Sequence, residues 1–221
     1  MIYADCPESS LKSWTCKWCY NHSDFELYSV VETFLLEWHL QAFTGYDPSN
    51  QQIVVSFRGS SNAENWFDDF TYFQKPYPGV VGAYVHDGFY DAYNDLYSKG
   101  LGKDYMELLK AHPNKKTLST GHSLGAALAQ IAALNFSVIT TSSPIETWTY
   151  GSPRFGNNAL IQYFSKQISL NWRLVNLHDV VPTVPPETAP GITSPYHHTF
   201  TEIWYVSDSP LKFNDICLLK Y

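Results

Sequence analysis

No run of about 18 apolar residues occurs anywhere in the chain, which excludes a membrane-spanning helix of ordinary kind. Basic residues are scarce: Lys plus Arg number 14 against 21 Asp plus Glu, a formal net charge of -7. That balance disfavours a nucleic acid or an anionic membrane as partner, and leaves contact with a neutral lipid surface open. Internal repeats, low-complexity tracts and linkers are also missing, so the 221 residues read as one domain, 1–221. The opening MIYADCPESS has neither a basic nor an apolar segment. No signal peptide is read there, and the chain is either cytosolic or the mature form of an exported protein. Zinc finds little support. Cys16 and Cys19 have ligand spacing, but no second compact ligand pair follows them. No metal and no organic cofactor is expected.

The four cysteines are few but suggestively placed. Cys6, Cys16 and Cys19 lie early and Cys217 lies late, which suggests one short bridge and one closing the chain, with four free thiols as the alternative. Asn21-His22-Ser23 and Asn135-Phe136-Ser137 are glycosylation acceptor patterns that fit export weakly.

Aromatic residues are plentiful, with 16 Tyr, 13 Phe and 7 Trp, more than a core of this size needs. Some should line a binding surface. Residues 24–43 place Val30, Val31, Phe34, Leu35 and Trp38 at helical spacing and predict a helix. Asp47-Pro48-Ser49-Asn50 marks a turn before a β-branched run at Ile53 to Phe57. Residues 88–111 read as a helix whose continuity Gly100 and Gly102 weaken. Further strands are expected at Thr117–Thr120, Glu146–Tyr150, Trp172–Asn176 and Ile203–Val206, and further helices at Ser123–Phe136 and Asn157–Gln167. Strands separated by helical crossovers imply an α/β sheet with parallel central members.

The sharpest local pattern is Gly121-His122-Ser123-Leu124-Gly125, a serine between glycines where a strand should meet a helix. In that context Ser123 is a candidate nucleophile on a strained bend, with the Leu124 N–H at the helix start as an oxyanion donor. The bland alternative is a capping serine. An elbow nucleophile needs a carboxylate and then a base later in the chain. Asp179 follows an extended segment and fits the acid. His197 and His198, before the last expected strand, are both candidates for the base. Ser56-Phe57-Arg58-Gly59-Ser60 ends an early strand and offers Ser60 as a second oxyanion donor.

These pieces together resemble the class 3, filamentous-fungal type of triacylglycerol lipases, with the related feruloyl esterases. The matching residues are Phe57-Arg58-Gly59-Ser60-Ser61, Glu64-Asn65-Trp66-Phe67, His86-Asp87-Gly88-Phe89, the elbow, Gly151-Ser152-Pro153-Arg154-Phe155-Gly156-Asn157, Val175 to Pro182, and His198 before Glu202-Ile203-Trp204. The resemblance implies an α/β-hydrolase fold: a central, mostly parallel sheet flanked by helices, with a short helical lid. It implies a triad of Ser123, Asp179 and His198, with Ser60 and Leu124 as oxyanion hole. It also implies bridges Cys16–Cys19 and Cys6–Cys217, secretion, and a monomer. By the resemblance the base falls on His198 rather than His197, because His198 stands six residues before Trp204. His86 and His122 are read as supports, and Arg154 as a brace for a loop near the site.

The substrate reading rests on Asn62, Ala63, Glu64, Asn65, Trp66, Phe67, Asp68, Asp69 and Phe70, a two-faced segment in the position of a lid. Such a segment would cover the site in water and open at a lipid–water interface. The expectation is therefore a carboxylic ester hydrolase of the triacylglycerol lipase kind, acting on neutral esters. A soluble feruloyl-type esterase and a catalytically silent binding protein are the alternatives.

Overall fold

A computed structural model describes residues 5–35, 38–60, 71–140, 142–168 and 170–206, and residues 216–219 as backbone alone. In chain order, helix α1 (Glu8–Lys12) precedes strands β1 (Glu26–Leu35), β2 (Trp38–Asp47) and β3 (Gln52–Phe57). The short strands β4 (Gln74–Pro76) and β5 (Tyr84–His86) lead to helices α2 (Asp87–Leu96) and α3 (Gly102–Ala111). Then come β6 (Lys116–His122), α4 (Leu124–Ile139), β7 (Ile145–Tyr150), β8 (Gly156–Asn157), α5 (Asn158–Gln167) and β9 (Leu170–Asn176). Strands β10 (Tyr196–His197), β11 (Glu202–Tyr205) and β12 (Ile216–Leu219) come last.

Eight strands form one sheet in the order β1-β2-β3-β6-β7-β9-β11-β12. The pairs from β3 through β6, β7 and β9 to β11 are parallel, as the helical crossovers predict. Antiparallel neighbours finish both edges. This is the α/β-hydrolase arrangement. A small sheet, β10-β8-β5-β4, lies apart from it.

One expectation fails. Residues 24–43 are not a helix but most of the β1–β2 hairpin, with Val31 opposite Ala42 and Thr33 opposite Leu40. Of the apolar positions read as helical, only Val31 is buried within β1, where it shares one face with Thr33, while Phe34 is exposed. Val30, Val31 and Thr33 are β-branched, which lowers their preference for a helix and suits a pleated surface. The long second helix is interrupted as its glycines suggested. A π-type turn at Tyr97–Leu101 separates α2 from α3, and Gly100 takes φ 139 there, a conformation that side chains rarely adopt.

Strand β3 shows how the sheet divides the core. Ile53, Val55 and Phe57 join the main cluster with Phe89 and Tyr93 of α2 and Leu128 and Ile131 of α4. Val54 faces the other way, toward Leu11, Cys16, Cys19 and Phe43. Each fully buried Leu, Ile or Phe contributes about 1.5–3 kcal/mol. The second face is more thinly covered. A cavity of about 360 Å³ remains on it, lined by Trp14, Phe25, Leu118, Trp148 and Tyr150 among others. Cys16 and Cys19 are bridged, clipping the N-terminal segment that packs there.

Candidate active site

Ser123 sits between the end of β6 and the start of α4 with φ 54 and ψ -125, and only 2% of it is exposed. A non-glycine residue held there costs on the order of 1–3 kcal/mol and persists only when its surroundings fix it. The glycines on either side explain how they do. A Cβ at Gly121 would run into the backbone of Gly125, and one at Gly125 would run into the carbonyls of Phe57 and Arg58. Strand, bend and helix therefore touch at backbone distance. The Ser123 N–H donates to the Tyr150 carbonyl at 3.0 Å, tying the bend to β7. Leu124 opens α4, so its N–H has no acceptor within the helix.

The loop after β3 runs against this bend. A Cβ on Gly59 would lie 3.6 Å from the Cβ of Ser123, and Ser60 follows one residue on from that contact. Ser60, Ser123 and Leu124 thus share one locality.

Asp179 comes from the next strand but one. After β9 the chain turns at Leu177, whose φ is 44, and the Asp179 N–H donates to the Asn176 carbonyl at 2.9 Å. Trp204 Nε1 donates to the Leu177 carbonyl at 2.8 Å and anchors that turn. The Val181 N–H donates to Asp179 Oδ1 at 3.0 Å. The other oxygen, Oδ2, occupies the space that a side chain at Gly151 would fill, and His122 Cδ2 borders the same spot at 3.7 Å. Gly151 has φ 51, so glycine serves here both for conformation and for room. Asp179 therefore stands beside His122, the residue before Ser123.

The base expected from the resemblance makes no hydrogen bond to this carboxylate and rests instead on the loop that follows it. His198 Nε2 is hydrogen-bonded to the Pro182 carbonyl at 2.7 Å, and Ser123 Oγ has no hydrogen-bond partner among the described residues. A complete Ser–His–Asp hydrogen-bond chain is therefore not formed in this arrangement. His198 is held well below the ordinary histidine pKa, first by desolvation and then by the positive charges of Arg173 and Arg154. The backbone beside it is anchored through its neighbour. Thr199 donates from Oγ1 to Gln130 Oε1 at 2.7 Å, and Gln130 lies about two helical turns, roughly 10 Å, along α4 from the elbow. The ring's Nε2 thus lies on the loop that follows Asp179.

Two residues read as supports have identifiable tasks. His86 caps α2 by accepting the Phe89 N–H on Nδ1 at 3.2 Å, while Nε2 meets the Thr71 carbonyl at 2.8 Å. Burial pushes its pKa down to about 3. Arg154 donates to the carbonyls of Thr183 and Pro185 at 2.7 and 2.8 Å, bracing the loop after Asp179. Asn21 is exposed, whereas Asn135 lies within α4 and is half-buried. The lid reading, Asn62 to Phe70, falls outside the described residues, as does the Cys217 side chain of the expected Cys6 bridge. No group of three or more His, Cys, Asp or Glu that could hold a metal occurs among the described residues.

Sequence reasoning overlooked Gln130. It is 1% exposed in a helix whose other buried positions from Leu124 to Leu134 are apolar or glycine. That single polar exception was the available signal.

Comparison with known proteins decides the family. The family model described as Lipase (class 3) matches residues 54–189. The chain belongs to the class 3 lipase family. It is 35% identical over 163 residues to secreted mono- and diacylglycerol lipase 1 of Fusarium solani, covering 74% of this chain and 46% of that protein. It is 32% identical over 201 residues to a lipase of Rhizomucor miehei, covering 90% of this chain and 53% of that one. The chain thus spans about half the length of these curated relatives. The Rhizomucor miehei triacylglyceride lipase structure superposes with TM-score 0.81 at 30% identity, over 94% of this chain and 77% of that one. A lipase from Rhizopus microsporus var. chinensis gives TM-score 0.85 at 28% identity, over 98% and 73%. Another structural neighbour, at TM-score 0.82, 30% identity and coverage of 94% and 77%, is a triacylglycerol lipase whose catalytic centre is a serine protease triad.

Proposed function

We propose that this class 3 lipase-family protein is a secreted carboxylic ester hydrolase acting on acylglycerols at a lipid–water interface. The observation that carries the reading is the Ser123 bend with Asp179 packed beside it at Gly151. Secretion is supported by the Cys16–Cys19 bridge and by relatives that are themselves named secreted lipases.

In this reading Ser123 Oγ attacks the ester carbonyl and gives its proton to the imidazole of His198. The negative charge collects on the carbonyl oxygen, facing the N–H groups of Ser60 and Leu124. Asp179 orients the imidazole and stabilises its charged form. The tetrahedral state expels the alcohol, which takes the proton back, and water then releases the acid from Ser123. The assignment requires the His198 ring to leave the Pro182 carbonyl and turn to Asp179 and Ser123. Catalytic hydrogen bonds commonly close only once substrate is bound. Two contacts favour the exchange. Pro182 lies three residues beyond Asp179, so the ring already rests on the loop that carries the carboxylate. Asp179 Oδ1 takes the Val181 N–H, which leaves Oδ2 for the imidazole.

The test is hydrolysis of a short-chain glyceride followed across its solubility limit, with fluorophosphonate labelling of Ser123 alongside. A rise in rate as droplets form, lost together with labelling in Ser123→Ala, is the expected result. A smooth saturating curve assigns the protein to soluble esters instead, and absence of labelling overturns the hydrolase reading.

A further inference from the structure

Gln130 is the point where three separated segments meet. Its Nε2 donates to Ser152 Oγ at 2.7 Å and to the Ala126 carbonyl at 3.3 Å, while Oε1 accepts from Thr199 Oγ1 at 2.7 Å. Ser152 Oγ donates its own proton to the Pro153 carbonyl at 3.1 Å. Gln130, Ser152 and Thr199 are each 1% exposed. Burying a primary amide is costly unless its hydrogen bonds are made, and here both of its donors and its acceptor are engaged. An apolar residue of similar shape would fill the same space without that demand, so packing alone does not explain a glutamine.

What the two arms reach does explain it. One arm holds Ser152, the residue after Gly151, and Gly151 provides the space that Asp179 Oδ2 occupies. The other arm holds Thr199, whose neighbour His198 meets the Pro182 carbonyl just beyond Asp179. The Thr199 carbonyl also accepts from Arg173 Nε at 3.2 Å, which ties this arm to β9, the strand that delivers Asp179. The wall around the carboxylate and the backbone of the imidazole are thus hung from one amide, on the helix that carries the nucleophile.

We propose that Gln130 is a positioning residue that sets Asp179 and His198 relative to Ser123. The inference rests on the hydrolase reading above and adds a residue outside the reacting groups. A carboxylate or imidazole displaced by even 1 Å would meet its partner less often in the productive geometry.

The experiment compares Gln130→Met, Ser152→Ala and Thr199→Val with the parent protein, using a soluble p-nitrophenyl ester, with thermal midpoints measured in parallel. Expected is a loss in kcat of about 10- to 100-fold for Gln130→Met with KM changed less than about twofold. Ser152→Ala and Thr199→Val, each cutting one arm, should lose less. The acid limb of kcat/KM should move to lower pH, because a base with a weaker carboxylate partner binds its proton less tightly. The charged groups around His198, Arg173 and Arg154 with His197 beside them and Glu187 and Glu202 lining the same cavity, are left in place by all three substitutions. Thr199→Ser, which keeps the hydroxyl, should retain the parent values. Unchanged kcat and an unmoved acid limb, with only a lower thermal midpoint, would overturn the proposal. Should Gln130→Met fail to fold, the two single-arm variants decide the question by the same readouts. A parent protein whose Ser123 is not labelled fails the hydrolase reading itself, and the positioning role with it.

Discussion

The stretch from Ser119 to Gln130 and the stretch from Ser194 to Trp204 each supply a residue to the proposed chemistry, but they hold it by different means. At the elbow the geometry is written locally. Two glycines let strand, bend and helix touch, and Ser123 is left with a backbone conformation that nothing else would select. In the later stretch the backbone beside His198 is held from outside, by Gln130 and Arg173 through Thr199, and the ring itself rests on the Pro182 carbonyl. Backbone contact admits one arrangement, whereas a side-chain hydrogen bond can be exchanged for another. On the proposed chemistry Ser123 is therefore fixed in advance, and His198 is the partner whose ring must turn.

The largest effect should come from breaking the elbow. Gly125→Val puts a branched side chain against the Phe57 and Arg58 carbonyls, and no rotamer of a β-branched residue removes its Cβ. Loss of stability above about 4 kcal/mol, and with it loss of soluble folded protein, is expected in urea titration. Survival of the fold would show that the strand–helix contact is looser than these backbone distances imply.

Next comes the exchangeable partner itself. His198→Asn should keep the fold but cut ester turnover and Ser123 labelling by at least about 1,000-fold, as loss of a triad base does. Labelling near the parent rate would instead leave His198 as a brace on the Pro182 turn, and the two stretches would differ in role as well as in rigidity.

An intermediate effect belongs to the support of that stretch. Arg173 is buried and its guanidinium meets Glu202 at 2.6 Å. Glu202→Gln leaves that charge without its counterion and should cost about 3 kcal/mol, read as a lower urea midpoint. A midpoint equal to the parent's would mean that the later stretch is held by its neutral hydrogen bonds alone.

The smallest effect is in the pH dependence of stability. The folded-state pKa of His198 is depressed, so the unfolded chain takes up a proton near pH 6.5 that the folded one refuses. Stability is therefore lost as pH falls below about 6.5. His198→Asn removes that linkage and should show a shallower acid decline than the parent in urea titrations at stepped pH. Parallel declines would place the ring in water rather than in the buried seat on Pro182.

Most of the sheet was legible because β-branched runs and glycine breaks recur at the spacing a parallel α/β fold requires, and Gly100 marked its helix break by residue type alone. The β1–β2 hairpin was not legible, since Val30, Val31, Phe34 and Trp38 match a helical period, whereas the strand buries Val31 with Thr33 and leaves Phe34 exposed. Ser123, Leu124, Ser60 and Asp179 could be picked out as candidates because each follows a strand end with a turn-forming residue beside it. The seat of the His198 ring could not, because the residues that decide it are scattered from Gln130 to Pro182. Gln130 itself stood inside an apolar run, where composition marks an exception without saying what it binds.

The elbow also sets an order of events during folding. The bend at Ser123 cannot form until the Phe57 and Arg58 carbonyls lie against Gly125, and those residues come from a strand that pairs with β6 only across a long intervening stretch. Closing such a loop is a slow, non-local event. On the proposed chemistry, labelling of Ser123 by a fluorophosphonate should appear late in a refolding sample and time the completion of the central sheet.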